Sequence, residues 1–381
     1  MEYTENMKTQ KINQIKDKRI LGRTGYDNSD KPLALFWGAS ALEINIKSKE
    51  VWALISCNWT THESWVAVEV NGYQTNRFIA SKEPQWVCVA RNLNVEKENL
   101  ISIIKDTQAM AGDAEHVLFI HEIRLSDDGK FCSLPERKLN IEFIGDSITS
   151  GEGLAGNPDE MDWIAQWMCA SKTYARQTAK NLNANLSVVS QCGWGLCWGW
   201  DGNIHSNMPE HYNNVCSLLN SDYQKSLGTC NGYNFSVKND FVVLNLGTND
   251  NGAFFQPPWK DEKGIEYPRV VDEYNNANAK DTQLIKDGVI SFLKNIRQKN
   301  PAAKIVWTWG MIKLVVVPSI IQNAINQYKT ENQDYQVYFL ELPAMEDVEV
   351  SDEDKGSRGH PGPKTHKLAA EKLTAFLQSL L

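Results

Sequence analysis

The chain has 381 residues, too many for one typical hydrophobic core and enough for two domains. A formal charge of −8 disfavours nucleic acid or an anionic membrane as partner, and no apolar run approaches the length of a membrane-spanning helix. The eight cysteines contain no Cys-x-x-Cys pair and no Cys/His spacing suited to zinc, so Cys192 and Cys197 read as plain thiols and no metal site is expected.

The amino terminus, Met1-Glu2-Tyr3-Thr4-Glu5-Asn6-Met7-Lys8, is polar and lacks the apolar segment of a secretory signal, which gives a cytoplasmic protein as the expectation. Residues 1–20 read as a polar lead-in or a short helix. Between 21 and 130 the pattern is that of an all-β domain. Leu42, Ile44 and Ile46 alternate with Glu43, Asn45 and Lys47, the signature of a half-buried strand. The segment 65–70 leads into Asn71-Gly72, a hairpin signal. Strands also fit 51–57, 86–90, 100–105 and 116–125, and that spacing suggests an antiparallel sandwich or jelly roll. A polar, proline-containing stretch at 131–138 reads as the linker.

From 139 to 381 strands and helices alternate. Strands are predicted at 139–145, 186–190, 241–247, 304–310 and 336–342. Ser171 is placed to cap a helix with Tyr174, Ala175, Thr178, Ala179 and Leu182 facing inward. Leu284, Ile285, Val289, Phe292, Leu293 and Ile296 mark a long amphipathic helix that closes near Asn300-Pro301. A terminal helix at 364–380 carries Leu368, Leu373, Phe376, Leu377 and Leu380 on its apolar side. Such alternation implies a parallel sheet with helices on both faces, an α/β sandwich.

Three loops of this half fall where the carboxyl edge of that sheet should lie. The apolar run 139–144 stops at Gly145-Asp146-Ser147, which is either a turn presenting a serine nucleophile or an ordinary capped turn. After the strand ending at Ser190 comes Gln191-Cys192-Gly193-Trp194-Gly195-Leu196, where a glycine lets a backbone N–H approach a substrate, or simply makes a turn. The third loop is Gly247-Thr248-Asn249-Asp250, whose asparagine is either an oxyanion donor or an Asx turn. A serine nucleophile needs a histidine base near neutral pH. His360 lies in the rigid loop Gly356-Ser357-Arg358-Gly359-His360-Pro361-Gly362-Pro363 before the last helix, whereas His366 falls on that helix's face.

In this order the four features resemble the SGNH, or GDSL, hydrolases over about 138–381. The resemblance implies a three-layer α/β/α, flavodoxin-like sandwich. It also implies that Ser147 is the nucleophile, that His360 is the base, and that the Ser147 N–H, the Gly193 N–H and the Asn249 amide line an oxyanion hole. Over nearly the whole chain the sequence is similar to the second family of carbohydrate esterases, which join a small amino-terminal jelly roll to an SGNH domain. The stretches that carry this likeness are Leu21-Gly22-Arg23-Thr24-Gly25, Val68-Glu69-Val70-Asn71-Gly72, Ile141 to Thr149, Asn207-Met208-Pro209-Glu210-His211-Tyr212 and Leu244 to Asp250. Family members remove acetyl groups from plant polysaccharides or their oligosaccharides, such as acetylated mannan or xylan fragments, without a cofactor.

One position departs from the pattern. SGNH enzymes usually carry an aspartate three residues before the histidine, and here that residue is Ser357. Either a backbone carbonyl orients the imidazole, as in some carbohydrate esterases, or an acid of the run Asp352-Glu353-Asp354 folds back, with Asp354 the candidate. Trp194 and Trp259, beside the second and third loops, are the expected sugar platforms. Two other functions stay open: an esterase or thioesterase for another small acyl substrate, and a carbohydrate-binding protein that has lost catalysis.

Overall fold

In the first unit, built from residues up to Arg137 together with Asn214–Tyr233, β-branched and aromatic residues dominate short runs that form strands. The computed structural model describes residues 7–348 and 355–381. Among these the first unit holds Met7–Lys11 (β1), Lys18–Leu21 (β2), Leu33–Leu35 (β3), Ala41–Lys47 (β4), Glu50–Asn58 (β5), Trp65–Val70 (β6), Tyr73–Ile79 (β7), Gln85–Arg91 (β8), Asn99–Lys105 (β9), Val117–Ser126 (β10) and Lys130–Cys132 (β11). All pair antiparallel in two sheets. One runs β1-β10-β5-β8 with β3 also on β10, and the other β11-β4-β9-β6-β7 with β2 also on β4. Both contribute to one core, in which Ile44, Ile46, Val51, Ile55, Ile103 and Ile120 are shielded from solvent. The hairpin expected at Asn71-Gly72 joins β6 to β7, with φ of +53° and +84° at its two central residues. This is the jelly-roll-type sandwich that the spacing of strands suggested.

Three details differ from the sequence reading. Met7–Lys11 and Lys18–Leu21 are strands, not a lead-in, and a single 3-10 turn at Ile12–Gln14 separates them. The pattern of β1 hid it, because an edge strand with mostly exposed side chains lacks an apolar face. Glu43 and Asn45 of β4 are buried rather than solvent-facing. Glu43 accepts from Arg19, Arg137 and the Ser102 hydroxyl, so its charge is paired where it is desolvated. Lys130–Cys132, partly inside the expected linker, is a strand that pairs with β4.

The second unit comprises Lys138–Asn213 and Asn234–Leu381. Its main strands are Leu139–Gly145 (β12), Ala184–Ser190 (β13), Phe241–Asn245 (β14), Lys304–Trp309 (β17) and Val337–Glu341 (β18), with a small hairpin of Trp259–Lys260 (β15) and Glu266–Tyr267 (β16). The helices in chain order are Ser147–Ser150 (α1), Tyr174–Asn181 (α2), Asp222–Ser226 (α3, within the first unit), Thr248–Gly252 (α4), Ala279–Lys299 (α5), Val317–Asn332 (α6) and Pro363–Ser379 (α7). The sheet order is β13-β12-β14-β17-β18 and every pair is parallel. The chain steps outward from β12 to β13 and then back across β12 to β14. Such a reversal opens a crevice at the carboxyl ends of those strands, where open α/β sheets bind ligands.

Helix details also sharpen. Thr173, not Ser171, caps α2, its hydroxyl accepting from the Arg176 N–H. Leu284 on α5 is exposed. The inward face of α7 is Thr365, His366, Ala369, Ala370, Leu373 and Leu377, whereas Leu368, Phe376 and Leu380 are only half-buried. His366 is fully enclosed, and its Nδ1 accepts from the Tyr174 N–H at 3.0 Å. Burial holds its pKa down to about 3, so it is a neutral acceptor.

Candidate active site

The turn that follows β12 is built from small residues because there is no room for larger ones. A Cβ on Gly145 would overlap the Thr149 side chain and lie 3.1 Å from the Asn245 carbonyl oxygen. Asp146 then caps α1, its Oδ1 accepting from the Ile148 N–H at 3.0 Å. Buried hydroxyl pairs pin the turn to its neighbours: Thr149 with Tyr174 at 3.0 Å and Ser150 with Ser190 at 2.8 Å. Ser147 is therefore presented from a fixed first turn at the sheet's carboxyl edge, and it is 6% exposed.

His360 arrives from the loop before α7. Its Nε2 lies 2.9 Å from Ser147 Oγ, and its Nδ1 lies 3.2 Å from the Arg358 carbonyl oxygen. A carbonyl only accepts, so Nδ1 carries the hydrogen and Nε2 presents its lone pair to the serine hydroxyl. That is the tautomer a general base requires. Of the two alternatives for orienting the imidazole, the group against Nδ1 is a backbone carbonyl, and Ser357, which stands where an aspartate is usual, is not hydrogen-bonded to the ring. Its Oγ has no hydrogen-bond partner among the described residues, and it lies against Gly156, where an added Cβ would stand 2.5 Å from it. Asp354 lies outside the described residues.

The structure brings the other loops to the same edge. Asn249, at the start of α4, donates from Nδ2 to the Trp194 carbonyl at 2.8 Å and makes a longer contact, 3.4 Å, with Asp146 Oδ2. Gly193 follows β13 with φ +76°, a left-handed conformation that other residues resist. Asp250, which the sequence reading left without a role, organises the rest of that loop. Its carboxylate accepts from the N–H groups of Leu196, Cys197 and Trp198 at 2.7, 2.7 and 3.3 Å, while its carbonyl accepts from the Trp198 indole. Burial raises the pKa of Asp250, and these N–H groups oppose the rise. Asp146 is pushed up to about 7, by burial first and then by the neighbouring charges of Asp250 and Glu152, against the pull of the Ile148 N–H.

Aromatic rings surround the loops unevenly. Trp194 is half-buried against His211, with centroids 5.0 Å apart. Trp259 packs edge-on to His205 and beside Tyr267. Trp198 is core, under Arg269 and against Phe254. Trp200 is exposed, at 53%, and its indole edge lies over Gly193, 3.0 Å from where a Cβ would stand. Sequence reasoning also missed Glu152 and Arg358. Glu152 Oε1 accepts from Arg358 Nη1 at 2.5 Å, and its Oε2 lies 3.7 Å from His360 Nε2. Nothing in spacing announces a pair separated by about two hundred residues.

A parallel sheet whose first strand leads to a serine hydrogen-bonded to a histidine has the arrangement of an α/β serine hydrolase. The chain belongs to the GDSL-like Lipase/Acylhydrolase family, whose model matches residues 143–368. It is similar to the acetyl xylan esterase Est2A from the rumen bacterium Butyrivibrio proteoclasticus, with 34% identity and a TM-score of 0.92 over 98% of both chains. The fold is also that of a family two carbohydrate esterase from Clostridium thermocellum determined with cellohexaose, at 23% identity and TM-score 0.76 over 95% of this chain and 98% of that one. The cellulase/esterase CelE of Acetivibrio thermocellus is 26% identical over 370 residues, 94% of this chain. The chain spans 39% of that relative's length.

Proposed function

We propose that the protein is a serine esterase that removes O-acetyl groups from carbohydrates through an acetyl-enzyme. The observation that carries the reading is the 2.9 Å contact of Ser147 Oγ with His360 Nε2, in the tautomer fixed by the Arg358 carbonyl. His360 takes the serine proton as Oγ attacks the acetyl carbonyl. Charge then develops on the carbonyl oxygen, facing the Ser147 and Gly193 N–H groups and the Asn249 amide. The Trp194 carbonyl fixes how Asn249 is turned, and the long contact to Asp146 is one that an oxyanion can displace. Collapse expels the sugar oxygen, protonated by His360, and water, activated by the same imidazole, releases acetate.

Three further points belong to the proposal. The substrate is an acetylated oligosaccharide of the xylan or mannan type, in keeping with Est2A and with the carbohydrate bound to the family two relative. Trp200, exposed over Gly193, joins Trp194 and Trp259 as a surface for sugar faces. The site of action is the cytoplasm, a reading supported by eight cysteines that are all free thiols.

The test is hydrolysis of 4-nitrophenyl acetate and of acetylated xylo-oligosaccharides by the chain and by Ser147→Ala. The expected outcome is measurable turnover reduced by about 10³-fold or more in the variant. A clear preference for long acyl chains over acetylated sugars would replace the substrate reading. Equal inertness of the two proteins would leave a carbohydrate-binding protein.

A further inference from the structure

The segment carrying Glu152 and the loop carrying His360 are docked on each other by more than the ion pair. The Gly153 carbonyl accepts from the Ser357 N–H at 3.0 Å, and a Cβ on Gly153 would stand 2.5 Å from the Ser357 oxygen. Glu152 is anchored on its own side by its N–H, which donates to the Ser147 carbonyl at 3.0 Å. Arg358 adopts φ +56° and ψ +32°, a left-handed conformation that a residue with a side chain rarely keeps unless its surroundings enforce it. Its surroundings do so. The Glu160 carbonyl accepts its N–H at 2.9 Å and the Glu152 carboxylate holds its guanidinium. That conformation turns the Arg358 carbonyl toward His360 Nδ1.

We propose that Glu152 is the positioning carboxylate of this site. It supports the positive charge of His360 from the Ser147 side of the ring and, through Arg358, secures the carbonyl that orients the other side. The inference rests on the Ser147–His360 reading above. The proton moves from Ser147 Oγ to His360 Nε2 as the Oγ–carbon bond forms, and none passes to Glu152. Its Oε2, 3.7 Å from Nε2 and only 7% exposed, then faces an imidazolium at short range with little water between them. The other ionisable groups around this pair are Arg358, which offsets part of the Glu152 charge, Asp146 at the cap of α1, Cys192 in the loop after β13, and His366 on α7. Asp146 and Asp250 spend their oxygens on backbone and amide donors. Among the described residues Glu152 is the carboxylate in ion-pair contact with His360.

The unmodified chain, Glu152→Gln and Arg358→Met decide the question. Two readouts are needed: the titration of His360 followed by NMR of histidine-labelled protein, assigned with His360→Asn, and the pH profile of 4-nitrophenyl acetate hydrolysis. Glu152→Gln keeps the shape and an acceptor for Arg358 but loses the charge. The His360 midpoint and the acid limb of the profile are expected to move to lower pH by roughly half to one unit. kcat should fall about tenfold, and KM should change by less than about twofold. Arg358→Met removes the offsetting charge, so its midpoint moves the opposite way, to higher pH. A purely structural role would lower activity in both variants without opposite displacements. An unmoved midpoint in Glu152→Gln, or the same direction in both variants, overturns the inference. Should Glu152→Gln not fold, Glu152→Ala supplies the same readout, with the same downward displacement expected and an unmoved midpoint overturning the inference. If the wild-type chain does not hydrolyse the ester, the esterase reading fails, while the titration still judges Glu152.

Discussion

Asp146 serves the same turn twice, capping α1 through one oxygen and facing the Asn249 amide with the other, and it does so fully buried. Its folded pKa of about 7 stands above the ordinary 3.8, so the folded protein holds this proton more tightly than the unfolded chain. The stability that this supplies is complete below about pH 4 and is lost as the pH rises toward 7, up to about 4 kcal/mol in all. Asp146→Asn removes the titration while keeping an acceptor for Ile148. The expected result is that the unfolding free energy of wild type, relative to the variant, declines between pH 4 and pH 8. Urea titrations at pH 4, 6 and 8 measure it, since other carboxylates cancel in the difference; a pH-independent difference would contradict the assignment. At this scale the sequence was most informative. Gly145-Asp146-Ser147, Asn249 and His360 were legible because each ends a strand or precedes a helix and is flanked by glycine or proline. Glu152 and Arg358 were not, since only the folded backbone sets 152 beside 358.

Asp250 shows how a loop is held by a neighbouring element. Sitting in α4, it collects three N–H groups from 196–198 and so fixes the path that β13 takes past Gly193. Asp250→Asn puts an NH2 group against at least one of those donors. Charged hydrogen bonds of this kind are worth about 1.5–3 kcal/mol, so a loss of about 2 kcal/mol in stability is expected. With Gly193 less firmly placed, kcat for 4-nitrophenyl acetate should fall about tenfold at nearly unchanged KM. Thermal unfolding and steady-state kinetics on the one variant check both halves; lost stability with intact kcat would separate the loop anchor from the proposed oxyanion donor. Elements themselves were legible where apolar residues mark the buried positions, on one face of α5 and as continuous runs in β12 and β14, whose residues are buried on both faces of the sheet. One element, β1, was missed, and within β4 and α7 the buried residues were misread, where burial is not carried by apolar side chains. β1 has mostly exposed side chains, Glu43 is buried by its arginines, and α7 buries His366 and Thr365 while leaving Leu368 only half-covered. Helix α6, Val317–Asn332, carried no spacing signal that the sequence reading used.

The two units are not consecutive in the chain, and no linear reading of composition would have cut it that way. Asn214–Tyr233 belongs to the first unit, where Val215, Cys216, Leu218 and Leu219 are buried. The Trp37 indole donates to the Val215 carbonyl at 2.6 Å, Arg23 donates to the Asn214 carbonyl at 3.0 Å and lies over the Tyr233 ring, and Gln224 donates to the His116 carbonyl. The first unit thus completes its core with residues separated from Arg137 by the stretch 138–213. While the second unit is folded, that stretch is already compact. Once it unfolds, the first unit must close a flexible loop of about 75 residues, at an entropic cost of about 4 kcal/mol. A loss of that size is a large fraction of a domain's stability, so the units are expected to unfold together. Calorimetry of the full chain should give one transition, with calorimetric and van't Hoff enthalpies that agree. Asn214 and Gly232 form an antiparallel bridge, so the two ends of the excursion lie side by side and a short glycine-serine linker can replace the residues between them. That replacement is expected to split the transition in two, with the first unit melting at lower temperature. Two separate transitions in the unmodified chain would show that the excursion does not couple the units.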